Sequence, residues 1–199
     1  KVLLVAGEVE PAAGPFPSSV EALQTGVFEA CGIRQVGVAG HPEGHRRIAR
    51  QTLDDALARK VDYARAHGIE LFVVTQFCFD AGRVLDWAAD LQPKWIMIWP
   101  YDSGGCGCAN CQPWGYGGYL RCAEPLAGLA ERKLPGVQVV LSTWFLDAQE
   151  WGGLSRVFEH RPVWVDYLLV EPSMAPNLPN APPAVAAPAG LPLIGFPEI

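Results

Sequence analysis

The sequence predicts a parallel α/β fold, and three observations carry that expectation. Short β-branched runs alternate with amphipathic stretches along the whole chain. The β-branched runs are almost continuously apolar, as strands covered on both faces are. Half of the 199 residues are hydrophobic, enough to bury a sizeable core in one domain.

The strands are expected at Val2–Ala6, Val36–Ala39, Leu71–Phe77, Trp95–Trp99, Val137–Thr143, Val165–Val170 and Leu191–Phe196. Between them, helical patterns run over Ser18–Ala30, Ile48–His67, Ala81–Leu91, Gly117–Lys133 and Ala148–His160. The second helix is the clearest. Ile48, Leu53, Leu57, Val61 and Ala64 form one apolar stripe, and Arg50, Asp54, Asp55, Arg59 and Asp62 form the polar face. The order is TIM-barrel-like, with seven strands where a closed barrel has eight. The chain is also shorter than the barrel norm of about 250 residues, so an incomplete or recombined barrel is expected. The link from Pro172 to Pro192 is rich in Pro and Ala and is not expected to hold a proper helix.

Charge and hydropathy narrow the partners. A net charge of −6 leaves no clustered basic footprint for nucleic acid. No apolar run is long enough to span a membrane, and no signal peptide is visible, which points to a cytoplasmic protein. The chain enters a strand at once and stops just after another, so both ends look cut from something larger. A small-molecule substrate is the expected partner.

In parallel α/β folds the ligand meets the carboxyl ends of the strands. Read in order, those ends carry Glu8, His41, Gln76, Asp102, Trp144 with Asp147, Glu171 and Glu198. Gln76 interrupts "VVTQFCFD", between an apolar strand and Phe77-Cys78-Phe79. An amide there donates and accepts, which suits a heterocycle with mixed edges. The plainer alternative is that Gln76 ties down a loop carbonyl. "GHPEGH" places His41 and His45 in a turn, where Pro42 and Gly44 rule out a helix face and the metalloprotease spacing. Contact with a flat cofactor is the better use, with Lys60 supplying charge for a phosphate.

"AGPFPSSVEALQTGVFE", "GVAGHPEGH" and "VVTQFCFDAGRVLDW" together resemble the middle of the methylenetetrahydrofolate reductase barrel, over residues 1 to about 91. The resemblance implies a flavoprotein that passes a hydride from a nicotinamide nucleotide through FAD to a folate. It implies that Gln76 meets the folate or flavin face, that His41 and His45 border the FAD, and that Lys60 meets its phosphates. Glu8 stands where that family has an aspartate near the flavin. The family's opening strand, with its general-acid glutamate, has no counterpart here, so reductase activity is expected to be impaired.

The second half reads differently. Six of the seven Trp and thirteen of the eighteen Pro follow residue 93, while most Arg precede it, which sets a seam near Leu91–Lys94. "DSGGCGCANC" leads from Asp102 into Cys106, Cys108 and Cys111, with Cys122 further on. The C-x-C-x-x-C spacing makes these four a candidate Zn site; disulfides through Cys111 or Cys122, or plain thiols, are the alternatives. Cys31 and Cys78 sit in apolar contexts and are expected to be ordinary buried thiols. With "VVLSTWFLDAQEW" and "LPLIGFPEI", residues 92 to 199 are similar to uncharacterised bacterial glycoside-hydrolase-like barrels. That similarity implies a sugar substrate, with Asp102, Glu171 and Glu198 as candidate carboxylates and Trp99, Trp114, Trp144 and Trp151 as stacking surfaces. Trp95 and Trp164 are expected in the core. Two barrel parents joined in one chain, by recombination or design and without activity, are a further expectation; an uncharted natural barrel family is its rival.

Overall fold

The computed structural model describes residues 1–6, 12–100, 105–144, 146–170 and 187–195. The chain divides into two compact units, Lys1–Val84 and Leu85–Ile199.

The first unit is built on three parallel strands, β1 (Val2–Leu4), β2 (Gln35–Gly40) and β3 (Glu70–Thr75), in the order β1-β2-β3. The central strand is the most buried: Val36 and Val38 are fully covered. Two short helices, α1 (Ser19–Leu23) and α2 (Val27–Ala30), precede β2, and α3 (Arg50–His67) joins β2 to β3. The expected helix over Ser18–Ala30 is therefore two pieces. Gly26 breaks it by adopting φ 74°, a conformation that favours glycine. Ser18 caps α1 by accepting from Val20 N–H at 3.1 Å, and its hydroxyl donates to Glu21. This satisfies helix-end groups that would otherwise lack partners. Helix α3 ends at Gly68, which is left-handed at φ 65°, with Arg65 and His67 in the last turn complementing the helix dipole. Its buried stripe is Leu57, Lys60 and Ala64, one residue per turn. Leu23, Val36, Ala64 and Ile69 form the core that joins helices to sheet.

The second unit holds four parallel strands in sequential order: β4 (Trp95–Ile98), β5 (Gln138–Ser142), β6 (Tyr167–Val170) and β7 (Leu193–Gly195). Helix α4 (Ala81–Ala89) contains the division between the units. Helix α5 (Tyr119–Lys133) follows a single π-turn at Trp114–Gly118, and α6 (Ala148–Val157) lies between β5 and β6. Asp147 caps α6 by accepting from Glu150 N–H at 2.8 Å, so this strand-end acid has a structural use. Leu141, Leu154, Leu168 and Leu191 are almost wholly covered and centre the core.

All seven expected strands form, each within a few residues of its expected span, and every pairing is parallel. They make two separate sheets of three and four strands rather than one closed ring. Of the link between β6 and β7, only residues from 187 on are described, and Pro188–Gly190 make one 3-10 turn there. Among the described residues, no helix is long and apolar enough to cross a membrane.

All six cysteines are free thiols. The expectation that Cys31 is buried is incorrect: it caps the four-residue helix α2 on the surface and is exposed. Cys78 is only half-buried. Trp95 is likewise exposed, at the amino end of β4, whereas Trp164 packs against the core as expected.

Candidate functional site

Strands β2 and β3 pair through Gly40 and Thr75, so His41 and Gln76 are the next residues in register past the ladder. Their side chains meet. His41 Nδ1 and Gln76 Oε1 are 2.9 Å apart, and Gln76 Nε2 donates to Gly44 O at 3.1 Å. The second bond fixes the amide's orientation, because only nitrogen donates to a carbonyl. Oε1 therefore faces His41, and the His41 proton resides on Nδ1. His45 has the opposite tautomer, since its Nδ1 accepts from Arg47 N–H at 3.2 Å. Among the described residues neither Nε2 is engaged. The turn thus presents His41 Nε2 as an acceptor and His45 Nε2 as a donor, on rings 5.4 Å apart and edge to face.

The turn is braced from both sides. Glu43 Oε1 accepts from Phe79 N–H at 2.8 Å and Asp80 N–H at 2.6 Å, just ahead of α4. Arg50 Nη1 donates to Pro42 O at 2.8 Å. Glu43 is a site residue the sequence reading missed; the signal was its place inside the turn, opposite the free N–H groups at the start of α4. Phe77 and Phe79 lie beside it, exposed, with rings 5.0 Å apart. Burial raises the Cys78 thiol pKa, and the nearby Glu43 carboxylate adds to this.

Lys60 is not part of this constellation. It lies in the middle of α3, 7 % exposed, where burial lowers its pKa and Glu21 of α1 partly offsets the cost. Its side chain is mostly covered, which leaves the ammonium little surface to offer a phosphate.

The second unit brings three of the four expected metal ligands together. The sulfurs of Cys106, Cys108 and Cys111 all lie within 4.8 Å of one another. A tetrahedral Zn site places sulfurs about 3.8 Å apart, so a small contraction closes the set on one ion. Cys122 is exposed on α5 and stands outside the group. Backbone bonds hold the loop. Cys108 O accepts from Cys111 N–H and Gln112 N–H, both at 3.0 Å; Gln112 Nε2 donates to Cys106 O at 3.0 Å; and Gly118 N–H donates to Cys111 O at 3.1 Å. A side chain at Gly118 would meet Cys111 O at 2.5 Å, so that approach requires glycine. The thiols polarise one another: a hydrogen bond from Cys106 leads the effects that draw Cys108 down to about 7, and the Cys108 partner leads those that push Cys111 up to about 11.

Of the aromatic candidates, Trp151 is in the core and Trp114 packs against it. Trp99 and Trp144 pair instead, rings 5.1 Å apart, just past β4 and β5. Glu8, Asp102, Glu171 and Glu198 lie outside the described residues. No protein-family model matches the chain.

Proposed function

We propose that the first unit carries the heterocycle-binding edge of a flavin-dependent reductase of the methylenetetrahydrofolate reductase type. The observation that supports it best is the paired acceptor and donor of His41 and His45, held at the carboxyl ends of β2 and β3 by Gln76. Flavin and pterin rings both carry alternating carbonyl and N–H groups, and such an edge needs one donor and one acceptor side by side. The exposed Phe77 and Phe79 rings add apolar surface for a flat ligand.

The fit to FAD is partial. The ring-edge groups suit it, while Lys60, the cation expected at its phosphates, is largely covered in α3. Bound FAD would supply hydride transfer between a nicotinamide nucleotide and a folate. The chain's own residues orient the ring, and Gln76 fixes the His41 tautomer. Titrating the full chain with FAD and following flavin fluorescence tests this. Saturable quenching, lost in Gln76→Ala, is expected; unchanged fluorescence across the titration contradicts it.

In the second unit we propose Zn²⁺ as the ion held by Cys106, Cys108 and Cys111, because thiolates are soft ligands that favour it over Mg²⁺ or Ca²⁺. A carbohydrate-binding role for this unit is the second reading. It draws on the Trp99–Trp144 pair at strand ends, where sugar-stacking rings would sit.

A further inference from the structure

We infer that the three-cysteine centre keeps its fourth metal position open and takes an exogenous thiol there. The inference rests on the Zn reading above. Zn²⁺ takes four ligands, and the described residues bring three together. Cys122, the remaining cysteine of this unit, stands outside the group.

Exposure sets what can reach the ion. Cys111 is half-buried and anchors the cluster, while Cys106 and Cys108 are exposed. An ion on these three sulfurs would therefore be within reach of solvent. Hydrogen bonds and packing also shape the loop. The bonds to Cys108 O, Cys106 O and Cys111 O fix the backbone at all three cysteines. Close contact of Gly105 with the Trp114 indole, which a Cβ would meet at 2.3 Å, packs the loop against the protein. Contacts of this kind orient the three cysteines toward one ion.

Charge and softness select the class of ligand. Three thiolates outweigh the charge of Zn²⁺ and leave the centre anionic, so its pull on the proton of a bound water is weak. A sulfur ligand binds mainly through covalency and suits such a centre better than an oxygen ligand. Binding is a ligand exchange: the thiol sulfur bonds to zinc, any water there departs, and the thiol proton passes to solvent. No oxidant or reductant is needed.

Cobalt(II) substituted into the full chain, with 2-mercaptoethanol as the probe and ethylene glycol as its oxygen counterpart, tests the inference. One cobalt per chain is expected, with a sulfur-to-cobalt charge-transfer band. Mercaptoethanol should raise that band by about a third, as three sulfur ligands become four. Ethylene glycol and the Cys122→Ser substitution should leave it unchanged. Cobalt binding with no response to mercaptoethanol, or a spectrum altered by Cys122→Ser or by Asp102→Asn, means the fourth position is filled by the protein. That result overturns the open position and leaves the metal centre standing. No cobalt uptake by the reduced protein overturns both.

Discussion

His41 and Gln76 are 35 positions apart in sequence and 2.9 Å apart in space, and the bond between them determines which nitrogen of His41 faces outward as an acceptor. The sheet register brings this about: Gly40 pairs with Thr75, and the next residue on each strand is the one that makes the contact. The amide that interrupts an apolar strand is thus both a brace for the turn and the group that sets its chemistry.

Replacing Gln76 with Ala removes two side-chain hydrogen bonds at an exposed position. A stability loss of about 1 kcal/mol is expected, measured by urea denaturation. Gln76→Glu should lower FAD affinity with a smaller stability change. The carboxylate still accepts from His41 but cannot donate to Gly44 O.

Lys60→Met should stabilise the chain by about 1 kcal/mol at neutral pH, because it removes a partly desolvated charge and keeps the length of the side chain. The sign follows from the lowered pKa. Below its folded value the ammonium is charged in both states, and the burial cost is fully present. Above that value and up to 10.5 the unfolded chain binds more protons, so wild-type stability rises with pH across this window. The variant should lack this rise, which thermal melts across the alkaline range would reveal. If FAD affinity fell sharply in Lys60→Met, a phosphate role for the lysine would return.

Cys108 should alkylate before Cys111 in the metal-free protein. With the Cys108 thiol near 7 and that of Cys111 near 11, iodoacetamide at neutral pH finds thiolate mainly at the first. Peptide mass spectrometry of briefly labelled protein measures the order. Zn²⁺ should protect both.

Gly118→Ala should weaken metal binding more than it weakens the fold. The added methyl would press on the Cys111 carbonyl and move that cysteine relative to its partners. A tenfold or greater fall in Zn²⁺ affinity, about 1.4 kcal/mol, is expected with little change in far-UV circular dichroism.

The elements were legible because each is written locally. Apolar runs such as Val139–Leu141 and the stripe through Leu57 and Ala64 have the spacing their structures need. The site was legible in part for the same reason: His41 and Gln76 end their strands, and Cys106, Cys108 and Cys111 lie close enough that one loop gathers them. What escaped notice depends on partners distant in sequence. Lys60 looks like a surface lysine until α1 packs over it. Cys31 looks buried until Gly26 splits its helix and leaves it on a cap. Cys122 belongs to the cysteine pattern by proximity in sequence, yet α5 carries it away from the loop. Closure of a barrel depends on pairing between distant strands, and no single segment encodes it.

The most direct test of the proposed function is an absorbance spectrum of the full chain after incubation with FAD and desalting, repeated after anaerobic addition of NADH. A retained flavin band that NADH bleaches is the predicted result: the His41–Gln76 edge then holds a flavin that accepts a hydride. A colourless protein would contradict the reductase reading.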